Sequence, residues 1–192
     1  CMGIAFESAE EGALHAEDER SVAAALDLVR WASESAVSLG ASVAYVVPGQ
    51  DGSQEALKRY GACLAKAADR AAAAGAVLCV EHFPGLSLPT ARGTLDFLDE
   101  VDHPNLYLLL DLGHLQISNE DPVEVIERAG SRLGYVHLDD NDGRDDLHMP
   151  LLEGCMRESD LERTFAALTA VGYEEAVSLE LSPKLEDPLK DL

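Results

Sequence analysis

The stretch Asn105-Leu106-Tyr107-Leu108-Leu109-Leu110-Asp111-Leu112-Gly113-His114 contains a continuous apolar run that ends in polar residues. Its apolar residues do not alternate with polar ones, so we expect both faces of this strand to be buried. That pattern is typical of a strand in a parallel sheet covered by helices. The Asp, Gly and His that follow lie where such a strand would end.

The same rhythm of helix, glycine and apolar run repeats on both sides of this strand. The pattern predicts helices over 18–39, 54–74, 91–101, 122–129 and 160–171. It predicts strands over 42–47, 76–80, 105–110, 133–136 and 176–181, with a further strand over 3–6. Short connections between alternating strands and helices indicate right-handed βαβ units. No composition shift marks a linker, so we interpret residues 1–192 as one α/β domain.

The charge balance of the 192-residue chain excludes several classes of protein. It has 36 acidic and 14 basic side chains and a net charge of −22, which disfavours nucleic-acid and anionic membrane surfaces. Hydrophobic residues make up 47% and charged residues 26%, as in globular proteins. The sequence shows no apolar run of about 20 residues and no leader pattern. We therefore expect a cytoplasmic protein that binds neither nucleic acid nor membranes.

Several conspicuous side chains have ordinary interpretations. The four cysteines show no CxxC spacing, and Cys79 lies in an apolar run as a core residue would. Trp31 lies inside the first predicted helix, where we expect it to pack on the sheet. His15 and His103 lie in polar stretches, where we expect them to be solvated.

Polar side chains lie at the carboxyl ends of four successive predicted strands: Glu81, Asp111, His137 and Glu180. One such residue is usually a helix cap or an ion-pair partner, but four at the same level favour a common site, because the carboxyl ends of parallel strands converge. The three carboxylates would repel one another without a cation. We therefore predict one divalent metal ion; an oxygen and nitrogen ligand set suits Mn, Mg, Co or Zn.

The series Glu81, Asp111-Leu112-Gly113-His114, His137-Leu138-Asp139-Asp140 and Glu180 resembles the xylose isomerase-like TIM-barrel superfamily. That group contains sugar-phosphate isomerases and epimerases, inosose dehydratases and apurinic endonucleases. The resemblance covers nearly the whole chain and implies that the metal ligands are Glu81, Asp111, His137 and Glu180.

The resemblance also implies substrate-binding residues. His114 matches a histidine that touches substrate in ketose epimerases or ligates an additional zinc in the endonucleases. Arg144 lies one residue out of register with a substrate-binding arginine of the epimerases. The segment Asp146-Leu147-His148, followed by Gly154, resembles a D-x-H pattern that holds a further metal elsewhere in the superfamily. Here we interpret His148 and its neighbours as shaping the pocket, with an ordinary loop as the alternative.

Two departures from the superfamily pattern matter. A complete barrel has eight strands and about 250 residues, so this chain resembles a TIM-type barrel truncated to about six strand–helix units and lacking the first two. Val47 stands where the endonuclease branch keeps a metal-binding histidine, and a second such histidine would lie in the absent segment. Together with the net charge of −22, this disfavours DNA repair.

We therefore expect a metal-dependent isomerase or epimerase, or a dehydratase, acting on a small sugar, sugar phosphate or polyol. Glu81 and Glu180 would transfer a proton through an enediolate, while His114 and Arg144 orient substrate oxygens. Two alternatives stay open: a non-catalytic barrel that binds metal or sugar, and a metal-dependent phosphodiesterase. The acidic run from Asp139 to Asp146 could attract a second cation or form an exposed loop. Exposed sheet edges favour a homodimer.

Overall fold

In the computed structural model, which describes residues 1–5 and 14–184, six strands alternate with helices. The strands are β1 Met2–Ile4, β2 Val43–Val46, β3 Val77–Glu81, β4 Leu106–Asp111, β5 Leu133–Leu138 and β6 Val177–Leu179. The helices are α1 Glu19–Ser38, α2 Gln54–Ala74, α3 Ala91–Val101, α4 Leu112–Ser118, α5 Pro122–Ala129 and α6 Glu158–Ala170.

All six strands are parallel and hydrogen-bonded in chain order. Ala44 on β2, for example, lies opposite Met2 on one side and Leu78 on the other. In this sheet β1 pairs only with β2, and β6 pairs only with β5. The sheet is therefore an open part of a TIM-type barrel, which confirms the truncated α/β fold expected from the sequence.

Alternation along the strands separates two apolar layers. Leu78, Leu106, Leu108, Leu110 and Val136 join the main core between sheet and helices. The opposite face of the sheet carries a smaller cluster of Val43, Cys79, Leu109 and Tyr135. Because side chains point to alternate faces, the residues two positions after Cys79, Leu109 and Tyr135 share this second face. Those residues are Glu81, Asp111 and His137, so the strand period places them together.

The helix ends follow local capping chemistry. Asp18, Ser53 and Thr90 accept hydrogen bonds from backbone amides in the first turns of α1, α2 and α3. Gly75 ends α2 with φ +86°, in the left-handed region that glycine adopts without a steric penalty. These signals are local in sequence, which explains why α2, α3 and α5 have the bounds that the sequence predicts.

The structure differs from the sequence expectations at several points. The expected strand over 3–6 is found at Met2–Ile4, and Phe6 lies outside the described residues. The expectation that Trp31 packs on the sheet is wrong, because it is 61% exposed on the outer face of α1. Cys79, in contrast, is fully buried as expected.

Two histidines expected to be solvated instead make specific contacts. The ring of His15 stacks on Tyr60 with centroids 4.2 Å apart, and burial lowers the pKa of His15. The side chain of His103 is 15% exposed; its Nδ1 accepts from the amide of Asn105 and its Nε2 lies 3.3 Å from Asp69. Both expectations were wrong because these contacts come from α2, on a different part of the chain, or from the backbone of the adjoining turn.

Within the described residues, no helix combines the length and the apolar character required to span a membrane. The cytoplasmic location stays a prediction.

Candidate metal centre

Four side chains at the carboxyl ends of β3, β4, β5 and β6 converge on one point. Glu81, Asp111, His137 and Glu180 each offer a ligand atom, and these atoms lie within 4.8 Å of one another. Glu81, Asp111 and His137 are at most 4% exposed, whereas the side chain of Glu180 is 35% exposed. The structure therefore brings together the four residues that the sequence singles out as metal ligands.

His137 Nδ1 lies at the centre of the three carboxylates. It is 2.5 Å from Glu180 Oε2, 3.6 Å from Glu81 Oε1 and 3.8 Å from Asp111 Oδ2. Burial alone would lower the pKa of His137, but Glu180 and Glu81 outweigh it and raise the pKa to about 10. Glu180 responds in the opposite sense, since contact with His137 lowers the pKa of its carboxyl group.

The hydrogen-bond pattern tests whether this arrangement fits a metal ion. Asp111 Oδ2, His137 Nδ1 and Glu180 Oε2 are all buried. His137 Nδ1 and Glu180 Oε2 lie 2.5 Å apart without hydrogen-bond geometry, and none of the three atoms has another hydrogen-bond partner among the described residues. Buried polar atoms are normally paired, so three such atoms that face one another suit a cation that all of them could contact. Three carboxylate oxygens and one imidazole nitrogen suit a divalent ion of the Mn, Mg, Co or Zn type. The four side chains therefore fit a divalent metal ion.

The other nitrogen of His137 is also oriented. Its Nε2 lies 3.4 Å from Cys1 Sγ, and the rings of Tyr45 and Tyr135 contact the imidazole edge-on, with centroids 5.3 and 5.6 Å away. If Nε2–H donates to the sulfur, the Nδ1 lone pair faces the carboxylates, which is the orientation of a metal-binding histidine. Sequence reasoning missed Cys1, because nothing local connects it with a residue so far along the chain.

Asp111 both faces the centre and caps a helix. Its Oδ1 accepts from the amide of His114 at 2.8 Å in the first turn of α4, which leaves Oδ2 for a metal ion. Burial raises the pKa of the Asp111 carboxyl group. Gly113 has no room for a side chain, because a Cβ there would overlap Asp139 and Asn141. The Asp-x-Gly sequence thus allows the close approach of α4 to the segment after β5.

His114, on α4, lies beside the centre. Its Nδ1 donates to the backbone carbonyl of His82 at 2.9 Å, so Nε2 faces Asp146 Oδ2, 3.6 Å away. Burial lowers the pKa of His114, but the nearby carboxylates of Asp146 and Asp111 outweigh it and raise the pKa to about 9. The side chain of His114 is buried beside the metal ligands, and its contact with substrate stays a prediction.

The segment after β5 brings a second group of ligand atoms together. Asp139, Asp146 and His148 offer atoms within 4.8 Å of one another, and His148 Nε2 lies 3.2 Å from Asp146 Oδ1. Burial, with the charge of Asp111, raises the pKa of Asp139 to about 8. Asp139, Asp140 and Asn141 are buried, while the tip at Asp142 and Asp145 is exposed. A second cation at this run stays a prediction.

Arg144 occupies that exposed tip. Its amide donates to Asp142 Oδ1 at 2.9 Å, and its guanidinium forms no ion pair with any residue that the structure describes. The structure therefore does not join Arg144 to the metal ligands, and its role in substrate binding stays a prediction.

Several known proteins are similar to this chain in sequence. The chain matches the family model described as xylose isomerase-like TIM barrel over residues 4–191. It is 35% identical over 125 residues to an L-ribulose 3-epimerase from Mesorhizobium japonicum, covering 64% of this chain and 39% of that protein. It is 30% identical over 182 residues to an L-ribulose 3-epimerase from Methylomonas sp., and the match covers 89% of this chain and 61% of that protein. It is 29% identical over 139 residues to an inosose dehydratase from Geobacillus thermodenitrificans, and the match covers 64% of this chain and 46% of that protein.

Solved structures show the same fold. The crystal structure of a D-tagatose 3-epimerase-like protein superposes with a TM-score of 0.81 at 24% identity, covering 98% of this chain and 72% of that one. The structure of an L-ribulose 3-epimerase superposes with a TM-score of 0.76 at 26% identity, and the match covers 94% of this chain and 63% of that one. The chain thus spans between about two fifths and three fifths of the curated L-ribulose 3-epimerases that it matches. With the family model matched over nearly its whole length, the chain belongs to the xylose isomerase-like TIM barrel family.

Proposed function

We propose that this chain carries the active site of a divalent-metal-dependent sugar isomerase or epimerase, with dehydration of a polyol as the related outcome. The observation that supports this most directly is the convergence of four ligand side chains whose facing atoms have no hydrogen-bond partner among the described residues. Similarity to two L-ribulose 3-epimerases favours a small ketose as substrate.

Glu180 and Glu81 are suited to proton transfer from different sides of a bound sugar. Glu180 is ionised, since His137 lowers the pKa of its carboxyl group, and its partial exposure allows substrate to reach it. In the proposed step a glutamate removes the proton from the carbon next to the carbonyl. The electrons of the C–H bond form a C=C bond, and the carbonyl oxygen takes the negative charge of an enediolate.

The second glutamate then returns a proton to carbon. Return to the opposite face of the same carbon inverts it, return to the neighbouring carbon moves the carbonyl, and loss of hydroxide from the adjacent carbon gives dehydration. A divalent ion held by Glu81, Asp111, His137 and Glu180 would act as a Lewis acid that stabilises the developing oxyanion. His114, His148 and Arg144 are proposed to orient the substrate hydroxyl groups.

Replacing the proposed base tests this function. We expect Glu180→Gln to lower turnover by about 10²-fold or more, because an amide removes no proton, while the far-UV circular dichroism spectrum stays unchanged. The assay supplies Mn²⁺, Mg²⁺, Co²⁺ or Zn²⁺ and a panel of ketoses that includes L-ribulose, with products separated by chromatography. Incorporation of solvent deuterium at the inverted carbon reports the proton transfer itself.

Glu174→Gln is the matched control, since Glu174 is exposed on the connection before β6 and should leave turnover unchanged. An active Glu180→Gln protein would overturn the proposed mechanism. Absence of turnover by the unmodified protein with every metal and sugar would overturn the proposed activity.

We further propose that the protein is a cytoplasmic homodimer built from one domain over residues 1–192. The open edges at β1 and β6 support association, because unpaired strands expose backbone donors and acceptors. Exposed apolar side chains support it as well: Trp31 and Leu39 lie on or just after α1, which packs on β1, and Phe165 lies on α6, which leads to β6.

A further inference from the structure

The backbone that carries Glu180 is held only weakly by the sheet. Glu180 follows β6, a strand of three residues at the open edge that pairs only with β5 in the described sheet. Its amide donates to the carbonyl of Leu138 at 3.0 Å. Glu81, Asp111 and His137 lie on longer strands with neighbours on both sides. Other contacts must therefore fix the position of the most exposed proposed ligand.

His148 supplies those contacts from the segment after β5. Its Nδ1 donates to the backbone carbonyl of Glu180 at 3.3 Å, and its own carbonyl accepts from the amide of Ser182 at 2.9 Å. His148 thus holds the main chain at two points, Glu180 and Ser182. This explains how a three-residue edge strand can present a carboxylate at a defined place.

His148 itself adopts an unfavourable backbone conformation. Its φ of +48° lies in the left-handed region, which costs energy for a residue with a Cβ and persists only where neighbouring groups hold it. Asn141 does so: its Oδ1 accepts from the amides of Leu147 at 2.5 Å and His148 at 3.1 Å. The two amides converge on one side-chain oxygen, as the left-handed bend requires.

Asn141 is in turn fixed on every side. It is fully buried, and its Nδ2 donates to Asp139 Oδ2 at 3.2 Å. The backbone amide of Asn141 donates at 2.9 Å to Oε1 of Gln116 on α4. The side-chain Nε2 of Gln116 donates at 3.0 Å to Asp140 Oδ1. A continuous set of hydrogen bonds therefore runs from α4 through Asn141 and His148 to Glu180.

We propose that Asn141 is a positioning residue for Glu180, acting through His148. Its side-chain oxygen holds the left-handed turn that lets His148 fix residues 180–182, and this keeps Glu180 Oε2 beside His137 Nδ1. The inference rests on the proposed function in so far as Glu180 is a metal ligand. An asparagine that only stabilised the fold would affect the melting temperature and leave the metal affinity of the folded protein unchanged.

Mn²⁺ titration of the metal-free full chain by calorimetry tests the inference. We expect Asn141→Ala to weaken Mn²⁺ binding by about tenfold or more, the usual effect of removing a residue that orients a metal ligand. Asp142→Ala is the matched control: it removes two backbone hydrogen bonds, from Arg144 and Asp145, at the exposed tip of the same loop. That variant should bind Mn²⁺ as the unmodified chain does.

Two further variants keep the test decisive. His148→Ala removes the Nδ1 donor to the Glu180 carbonyl and should weaken Mn²⁺ binding in the same direction as Asn141→Ala. If Asn141→Ala does not fold, Gln116→Ala decides instead, because Gln116 is half-buried on α4 and anchors Asn141 from outside the bend. It should weaken Mn²⁺ binding in the same direction.

The inference would be overturned if a folded Asn141→Ala protein bound Mn²⁺ with unchanged affinity. If Asn141→Ala does not fold, unchanged affinity in Gln116→Ala would overturn it. An equal loss in Asp142→Ala would also overturn it, because the effect would then belong to the whole loop. Absence of sugar turnover with intact Mn²⁺ binding would contradict the proposed function and leave the positioning role standing. Failure of the unmodified chain to bind any of Mn²⁺, Mg²⁺, Co²⁺ or Zn²⁺ would overturn both.

Discussion

His137 is the residue on which the contacts of the site converge. Its Nδ1 faces three carboxylates, its Nε2 lies beside Cys1 Sγ, and two tyrosine rings contact its edges. These contacts hold the ring with Nδ1 toward the carboxylates, which is the nitrogen that the proposed metal ion would bind. We expect metal binding to change its protonation.

Proton release follows from the raised pKa of His137. At a pKa of about 10 the metal-free imidazole is protonated at neutral pH, whereas a metal ion binds only the neutral ring. Each bound ion must displace that proton, so the affinity should rise as the pH rises and level off above the pKa. We expect Mn²⁺ binding to tighten by about tenfold per pH unit between about pH 6 and about pH 9.

Calorimetry in two buffers of different ionisation enthalpy measures the protons released per ion. His103→Gln is the control, because that histidine lies near Asp69, away from the metal ligands, and its loss should not alter the release. An Mn²⁺ affinity that is flat across this pH range would contradict the prediction.

Single residues also show what a sequence can and cannot reveal about the site. Glu81, Asp111, His137 and Glu180 were predictable, because each follows an apolar run and parallel strands end at one edge. Cys1 and Gln116 were not, because their roles depend on contacts with distant parts of the chain. Nor does the sequence show that His148 has a positive φ.

At the scale of elements, α4 is the feature that the sequence did not predict. It has seven residues, begins directly after β4 and contains Gly113, so neither its length nor its composition is typical of a helix. Asp111 stabilises its first turn, and α4 in turn brings His114 and Gln116 to the segment after β5. The longer α2 and α3 were predictable, because caps and apolar periodicity define them locally.

The start of α3 depends on a side chain from another connection. The Glu120 carboxylate, between α4 and α5, accepts from the amides of Ala91 at 2.8 Å and Arg92 at 3.0 Å. These are first-turn amides without partners inside the helix. We expect Glu120→Ala to lower the free energy of unfolding by about 1–2 kcal/mol, as loss of a helix cap does.

Urea unfolding followed by far-UV circular dichroism measures this change. Glu124→Ala is the control, since its carboxylate pairs with Arg92 at the surface with 64% of the side chain exposed. Such a pair contributes about 0–1 kcal/mol. Equal effects of the two substitutions would show that Glu120 does not stabilise the start of α3.

At the scale of the whole molecule, the decisive feature is a parallel sheet whose outer strands, β1 and β6, each pair with one neighbour among the described residues. Repetition of helix and apolar run made the strand order predictable, since successive βαβ units place each strand beside the last. The surface was harder to predict: Trp31 is a large apolar side chain, yet it is 61% exposed, because it lies on the side of α1 opposite the buried residues Val29 and Ala36.

Self-association is the prediction that belongs to this scale. Light scattering after size exclusion should give about twice the 20.5 kDa mass of one chain, because open strand edges and exposed apolar side chains favour pairing. Trp31→Glu should shift the mass toward one chain, since Trp31 lies on the helix that packs on edge strand β1. Leu152→Glu, a 50% exposed leucine in the loop after β5, should leave the mass unchanged. A single-chain mass for the unmodified protein would contradict the homodimer, because the open edges would then stay unpaired at the concentration measured.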